Sequence, residues 1–289
     1  MKIGEIIRKV YPEARVISIR KFKKGVINKT YEISIANPKK DLVIRIYPSE
    51  FWKAKKENYI YGLLAKKIPT PKVLWEGKNY LLMSKIDGKE LSLDRKLIKD
   101  AGFLLAKIHS IRFPYYGWIM GKKVRPKFRR WLDFIAYDFN QKSKILMKAN
   151  IIDKEEIKKI RKVIEKNKEI LKTKTRPCLL HKDYHSSHIL VKNKKISGII
   201  DFEWAISGHN ELDIAKSCYY MFDKKKNFEK VFIEGYESYK KIDKRFDERK
   251  SIYKLLTIFS SLAFSVKHYN KKWIEYNKKK LVYESEKLD

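Results

Sequence analysis

The decisive stretch of the sequence is His181-Lys182-Asp183-Tyr184-His185-Ser186-Ser187-His188-Ile189-Leu190, followed downstream by Ile199-Ile200-Asp201-Phe202-Glu203. Asp183 lies in a polar loop before one apolar segment, and Asp201 ends a second apolar segment. The two segments and the turn between them predict a hairpin. Because a hairpin pairs its ends, we expect the two carboxylates to lie near each other. Two carboxylates beside a histidine suit a site for magnesium and a nucleotide.

The sequence before this stretch alternates between strand and helix patterns. Residues 29–35 alternate apolar and polar side chains and predict a strand, and residues 42–47 predict a second strand that carries Arg45. Residues 51–66 predict a helix whose apolar stripe includes Glu57. An arginine on an apolar strand and a glutamate on an apolar helix face are each costly to bury alone and tolerable as a pair.

The pattern changes from strands to helices after residue 88. The fold class predicted is therefore α+β and two-lobed, with a small β-rich N-terminal lobe at residues 1–84 and a larger, mostly helical lobe at residues 85–289. The hinge is expected at about residues 83–88. The elements predicted on either side are strands at 73–77 and 80–84, helices at 97–108, 130–172 and 252–266, and the hairpin at 188–204.

The decisive stretch resembles the catalytic loop of the aminoglycoside phosphotransferase and choline kinase branch of the protein-kinase-like fold. In that family His-Gly-Asp-x-x-x-x-Asn precedes Ile-Asp-Phe or Ile-Asp-Trp, at the spacing found here. Further motifs follow in the family's order, and the resemblance covers roughly residues 20–265. These motifs are a nucleotide loop at 25–31, the strand Val43-Ile44-Arg45, the helix carboxylate Glu57, a hinge at 82–88, a helix motif at 104–109 and Glu211-Leu212-Asp213-Ile214-Ala215.

The resemblance implies a phosphotransferase that moves the terminal phosphoryl group of ATP, or of GTP, to a hydroxyl group. Carried over residue by residue, Asp183 is the base that accepts the hydroxyl proton, and Asp201 is the main magnesium ligand. Residues implied to bind the nucleotide are Gly25 and Asn28 in the loop, Arg45 with its partner Glu57, and Met83, Ser84 and Ile86 at the hinge.

His188 departs from the family pattern, because an asparagine is expected at its position. Magnesium prefers oxygen ligands, so a histidine is an unusual ligand for it. The aminoglycoside 2″-phosphotransferase subgroup resembles this sequence in having histidine there. We therefore keep His188 as a predicted metal-site residue, with a pseudokinase that binds RNA as one alternative.

The charge balance points to the acceptor. Lys and Arg number 68 against 34 Asp and Glu, a net charge of +34. Residues 121–176 hold 19 basic and 7 acidic side chains, whereas residues 177–222, which include the catalytic stretch, hold 5 of each. A surplus of this kind favours a polyanionic partner. In the run from Lys122 to Trp131, cations alternate with aromatic side chains, a pattern that suits phosphate contacts and base stacking.

We therefore predict RNA, with tRNA as the leading candidate, as the acceptor and partner. The sequence also resembles archaeal tRNA kinases of this fold, which modify a ribose 2′-hydroxyl. The alternative acceptor is a small metabolite, as in the aminoglycoside and choline kinases, although a basic acceptor region should repel a cationic substrate. The residues predicted to contact RNA are Arg125, Lys127, Arg129, Arg130 and His185.

Composition excludes several classes of protein. Hydrophobic residues make up 44% of the chain and aromatic residues 13%, values that exclude disordered, collagen-like and low-complexity classes. The longest apolar stretch, around residues 255–266, is too short to span a bilayer. The charged first residues lack the apolar segment of a signal peptide. We expect a cytoplasmic protein that has no membrane partner.

Overall fold

The computed structural model describes residues 3–22 and 27–288. Strands and helices divide between the lobes as the predicted fold class requires. In the first lobe the elements are α1 (Ile3–Arg8), β1 (Arg15–Lys21), β2 (Lys29–Ala36), β3 (Lys40–Ile46), α2 (Trp52–Leu64), β4 (Val73–Glu76) and β5 (Tyr80–Ser84).

The second lobe is mostly helical and contains short strands. Its elements are β6 (Lys89–Glu90), α3 (Arg95–Ile108), β7 (Tyr116–Met120), β8 (Lys123–Phe128), α4 (Trp131–Lys148), α5 (Lys154–Lys166), α6 (Lys168–Leu171), β9 (Cys178–Leu180), β10 (Ile189–Lys192), β11 (Lys195–Ile199), β12 (Ile206–Gly208), α7 (Asn210–Phe222), α8 (Lys226–Glu237), α9 (Phe246–Lys267) and α10 (Lys271–Glu286). None of the described helices is long and apolar enough to cross a membrane.

The five-stranded antiparallel sheet of the first lobe has the order β1-β2-β3-β5-β4. Its two faces border different parts of the molecule, because successive side chains of a strand point to opposite faces. Ile33, Ile44 and Leu82 lie on the face that packs against α1 in a small separate core. Arg45 and Met83 lie on the opposite face, which borders the cleft between the lobes. The predicted strand alternation is confirmed.

The predicted hairpin of the second lobe is confirmed as β10 and β11, with Ile189 opposite Ile199. β11 ends at Ile199, so Asp201 lies two residues beyond the strand rather than at its end. Helices fill most of the 130–172 region as predicted. The lobe boundary at residue 84 stays a prediction, because the large core cluster includes side chains from both sides of it.

The sequence analysis missed a four-stranded sheet in the second lobe, with the order β8-β7-β12-β9. Its strands are short and mostly buried on both sides, so they lack the alternation that marks a half-exposed strand. β1 was missed for the opposite reason, since its apolar residues Ile17 and Ile19 are exposed. This second sheet matters for function because β9 leads into the catalytic loop.

Glycines allow α3 and α8 to pack closely. A methyl group at Gly102 would lie 2.0 Å from the carbonyl oxygen of Phe232, and one at Gly235 would lie 2.0 Å from that of Lys99. Contacts this short force the two backbones apart, so overpacking should cost about 1–3 kcal/mol.

We therefore expect Gly102→Ala to lower the midpoint of thermal unfolding measured by circular dichroism. Gly62→Ala in the last turn of α2 is the matched control, because no described heavy atom lies within 4 Å of the added methyl group. That control should raise stability by at most about 0.5–1 kcal/mol through helix propensity. Equal midpoints for the two variants would contradict the close packing of α3 and α8.

Candidate active site

The lobes face each other across a cleft of about 880 Å³. The first lobe contributes β2, β3 and the segment after β5, and the second contributes the loop before β10 and the segment after β11. The predicted site residues among the lining side chains are Asn28, Arg45, Met83, Ser84 and Ile86 for the nucleotide, Asp183 for catalysis, His188 and Asp201 for the metal, and His185 for RNA. Gly25 lies outside the described residues.

Arg45 and Glu57 form the predicted ion pair, at 3.5 Å between Nη1 and Oε2. A second carboxylate lies closer, since Arg45 Nη2 donates to Asp201 Oδ1 at 2.8 Å. Burial alone would lower the pKa of Arg45, but the charges of Asp201 and Glu57 raise it well above its ordinary value. Arg45 Nε is buried and has no hydrogen-bond partner among the described residues. The guanidinium therefore retains a donor that a phosphate oxygen would satisfy.

Glu57 is fully buried and fixes the segment that carries Asp201. Its Oε1 accepts the backbone N–H of Phe202 at 2.8 Å, and its Oε2 accepts the hydroxyl of Tyr47. The hydroxyl of Tyr61 accepts the backbone N–H of Asp201 at 3.2 Å. Glu57 therefore binds the backbone of the segment that carries Asp201, and it also pairs with Arg45 of β3.

Glu203 is a functional residue that the sequence analysis left without a role. Asn28 Nδ2 donates to its Oε2 at 2.7 Å, across the cleft from the first lobe. Lys53 Nζ lies 3.3 Å from the same oxygen, and Lys56 Nζ donates to the Glu203 backbone carbonyl at 2.7 Å. Both lysines are buried on α2, and burial lowers the pKa of Lys56 to about 7. These contacts bind α2 to the segment after Asp201.

Asp213, in the motif Glu211-Leu212-Asp213-Ile214-Ala215, holds the backbone of the catalytic loop. Its two carboxylate oxygens accept the N–H groups of His181 at 2.6 Å and of Lys182 at 2.8 Å. The ring of His181 accepts the N–H of Asp183 and donates to the carbonyl of Ile200 at 3.0 Å. Burial lowers the pKa of His181 to about 4, so the ring is neutral and braces the loop.

Asp183 is surrounded by cationic and imidazole groups. Lys216 Nζ lies 3.5 Å from Oδ1, and His185 Nε2 lies 3.5 Å from Oδ2. Burial alone would raise the pKa of Asp183, but Lys216 and the two histidines hold it well below its ordinary value. The carboxylate is therefore ionised and able to accept a proton. Lys216 was missed because its α7 position carries no motif.

His188 is oriented so that one ring nitrogen faces Asp201. Its Nδ1 donates to the carbonyl oxygen of Asp183 at 2.9 Å. Its Nε2 lies 3.5 Å from Asp201 Oδ2. Donor atoms of Asp183, His185 and His188 also lie within 4.8 Å of one another.

The predicted RNA contacts on β8 are exposed, but the aromatic part of that prediction is wrong. Arg125, Lys127 and Arg129 are exposed, whereas Arg130 forms a bidentate pair with Asp133. Trp131 is only 2% exposed. Its indole N–H donates to Tyr253 at 3.0 Å, and Phe128 packs on Phe134 and Tyr137. The cations alternate with core aromatics there, because α4 begins at Trp131 and turns its ring inward.

Comparison with known proteins identifies the family of this chain. The family model described as "Phosphotransferase enzyme family" (APH) matches residues 18–249. The chain belongs to this family, and it is a kinase-type phosphotransferase with a hydroxyl group as acceptor, as the sequence analysis predicts. No curated protein sequence matches the chain.

Solved structures share the fold at low sequence identity. A chain from Thermobifida fusca, provisionally described as a fructosamine-3-kinase, is 14% identical, with a TM-score of 0.75 and coverage of 99% of this chain and 98% of the other. The aminoglycoside phosphotransferase APH(2″)-IIa in complex with gentamicin is 18% identical, with a TM-score of 0.71 and coverage of 97% and 95%. APH(4)-Ia in a ternary complex with AMP-PNP and hygromycin B is 15% identical, with a TM-score of 0.74 and coverage of 99% and 98%.

The contribution of Lys216 to the low pKa of Asp183 can be tested by substitution. We expect Lys216→Met to raise the pKa of Asp183, because the nearest cation is lost while burial remains. Lys216→Arg keeps the charge and should leave the pKa low. Carboxyl carbon chemical shifts followed against pH, with Asp183→Asn to assign the resonance, would measure this. An Asp183 pKa that is equally low in Lys216→Met and in the wild type would rule out control by Lys216.

Proposed function

We propose that this phosphotransferase moves the terminal phosphoryl group of ATP to a ribose hydroxyl of RNA. The observation that carries the phosphoryl-transfer part is the convergence of Arg45, Asp183, His188 and Asp201 on one cleft. AMP-PNP in the APH(4)-Ia complex supports ATP as the donor. GTP is the alternative donor.

In the proposed reaction the acceptor oxygen attacks the γ-phosphorus of ATP, and the bond from that phosphorus to the bridging oxygen breaks. The electron pair of that bond leaves with ADP, and the hydroxyl proton passes to the Asp183 carboxylate. Arg45 orients the phosphates, and Lys216 offsets negative charge beside Asp183. Positioning and charge stabilisation do most of the work in phosphoryl transfer.

Magnesium fits the residues present. Asp201 supplies carboxylate oxygens, and His188 Nε2 lies 3.5 Å from one of them, so these two would hold the ion. When bound, magnesium neutralises phosphate charge and orients the phosphoryl group. Asp201 is well suited to this role, because Arg45 and His188 keep its pKa below the ordinary value although burial alone would raise it.

The acceptor side of the site supports an anionic acceptor. A small cavity beside the catalytic loop is lined by three lysines, Lys142, Lys182 and Lys216, and by one carboxylate, Asp138. Burial lowers the pKa of Lys182 to about 7, with a contribution from the neighbouring Lys142. The cations of this cavity outnumber its carboxylate, a balance that favours a phosphate-bearing acceptor over a cationic one.

The alternative is a small-molecule acceptor, which the names of the structural relatives favour. Those relatives include complexes with gentamicin and hygromycin B. Transfer to RNA and transfer to a small molecule can be separated directly, because the labelled product differs in size.

The decisive experiment incubates the protein with γ-labelled ATP, magnesium and total RNA. We expect label in the tRNA fraction, and a decrease of about 10²–10⁴-fold in Asp183→Asn through loss of the base. Chelation of magnesium is a second control. Label that appears only in a pool of small metabolites would replace the RNA acceptor with a small-molecule one. The absence of any ATP turnover would favour the RNA-binding pseudokinase.

Arg125, Lys127, Arg129 and Arg130 form the predicted RNA-contact surface around β8, which we call the β8 surface. β8 lies three strand positions from β9, about 14 Å across the sheet at about 4.8 Å per strand. A polymer bound at the catalytic loop could reach this far, whereas a small sugar could not.

We expect replacement of all four cations by alanine to weaken RNA binding and to reduce its dependence on salt. The variant would make fewer phosphate contacts, so its binding would release fewer counterions from the RNA. Affinity for ATP should not change. The matched control replaces Lys158, Lys159, Arg161 and Lys162, which are exposed on α5. If both variants lose affinity equally, binding depends on net charge alone and not on the β8 surface.

A further inference from the structure

Helix α10 carries large aromatic side chains that are unusually exposed. Trp273 and Tyr276 are each 55% exposed, and Tyr283 is 52% exposed. The opposite side of the helix packs against α9, with Asn277 and Leu281 buried. Single exposed apolar side chains are ordinary, but a row of large rings on one helix marks an interaction site.

Lysines lie on the same side of α10 as the rings. With 3.6 residues per turn, positions separated by three, four or seven residues share a face. We call this set the α10 face, and the exposed Glu275 and Glu286 lie at its edge. Its members are Lys272, Trp273, Tyr276, Lys279, Lys280, Tyr283 and Lys287. One cation already lies over a ring, since Lys287 Nζ is 4.1 Å from the centroid of Tyr283.

A chain of aromatic contacts connects the α10 face with the catalytic carboxylate. Tyr276 hydrogen-bonds Tyr219, whose pKa is raised by burial and by its tyrosine neighbours. The rings of Tyr219 and Tyr220 are 5.6 Å apart, and Tyr220 lies 6.1 Å from the ring of His185. His185 in turn contacts Asp183. A row of side-chain contacts therefore runs from the α10 face to Asp183.

We propose that the α10 face binds an unpaired segment of the RNA acceptor, an inference that rests on the proposed function. Its rings stack with bases, and its lysines contact phosphates, which is the combination that single-stranded nucleic acids require. The helix rises about 15 Å between Trp273 and Tyr283, which corresponds to about four stacked nucleotides. The strand then passes Tyr220 and presents a ribose to Asp183.

A membrane surface fits the α10 face less well than RNA. Helices that lie in a membrane interface present a wide apolar side, separate from the charged side. On α10 the lysines and rings share one side, and the apolar side is already packed on α9. An acceptor must also reach the catalytic loop, which the α10 face contacts through Tyr219 and Tyr220, whereas a membrane has no need to reach it.

The test compares Trp273→Ala/Tyr283→Ala with the wild type in the full-length protein. Tyr276 is left intact because it supports Tyr219. The matched control is Trp75→Ala/Tyr239→Ala, which removes the same residue types, 39% and 48% exposed, from other parts of the surface. Binding of fluorescein-labelled oligouridine is measured by anisotropy at several salt concentrations, and transfer from γ-labelled ATP is measured in parallel.

We expect the α10 variant to bind oligouridine at least about five-fold more weakly and to have a higher KM for RNA, because each lost stack weakens binding. The KM for ATP should be unchanged. The salt dependence should also be unchanged, because the rings neutralise no phosphate. Lys272→Ala/Lys279→Ala should instead reduce the salt dependence.

The outcomes separate this inference from the proposed function. If the wild type binds and phosphorylates RNA but the α10 variant matches the control, only the α10 inference fails. If the wild type neither binds nor phosphorylates RNA, the RNA acceptor fails, and the inference fails with it. If the wild type binds vesicles of anionic phospholipid and the α10 variant does not, while both bind RNA equally, the face is a membrane contact and the inference is overturned.

Discussion

The buried carboxylate of Glu57 is the group on which the rest of the cleft depends. Burial raises its pKa, and the nearby Arg45 opposes that effect. It joins the cation of β3 to the backbone of Phe202, and therefore joins the first lobe to the segment that bears Asp201. A buried charge is tolerated only when it is paired and hydrogen-bonded. The requirement to satisfy Glu57 thus fixes the relative positions of Arg45 and Asp201.

The protein separates its charge surplus from its chemistry. The carboxylates described at the reaction centre lie beside cations, whereas most of the net charge of +34 lies elsewhere. The cations beside Asp183 and Asp201 hold the pKa values of both carboxylates low. A basic exterior with a balanced centre attracts a polyanion without changing the transfer reaction.

The proximity of Asp183, His188 and Asp201 could be predicted because these residues flank one hairpin, where spacing along the chain is spacing in the fold. The side chains that hold them could not. Glu203, Lys53 and Lys216 act through partners far away in sequence, and a lysine does not stand out among 68 basic residues. Trp131 was misassigned because composition does not show which way a ring turns where a strand gives way to a helix. β7, β9 and β12 were missed because short, mostly buried strands carry no alternating pattern, and β8 was missed because most of its side chains are exposed.

Two basic surfaces border the catalytic loop from different directions. The β8 surface is joined to it through the second sheet, and the α10 face is joined to it through Tyr219, Tyr220 and His185. A small acceptor could touch neither of them while its hydroxyl lies at Asp183, so for such a substrate both surfaces would be idle. An RNA that places one ribose at Asp183 can extend along both. The relatives of this fold hold gentamicin or hygromycin B. Under the proposed function, the elements around the catalytic loop would select a polymer instead.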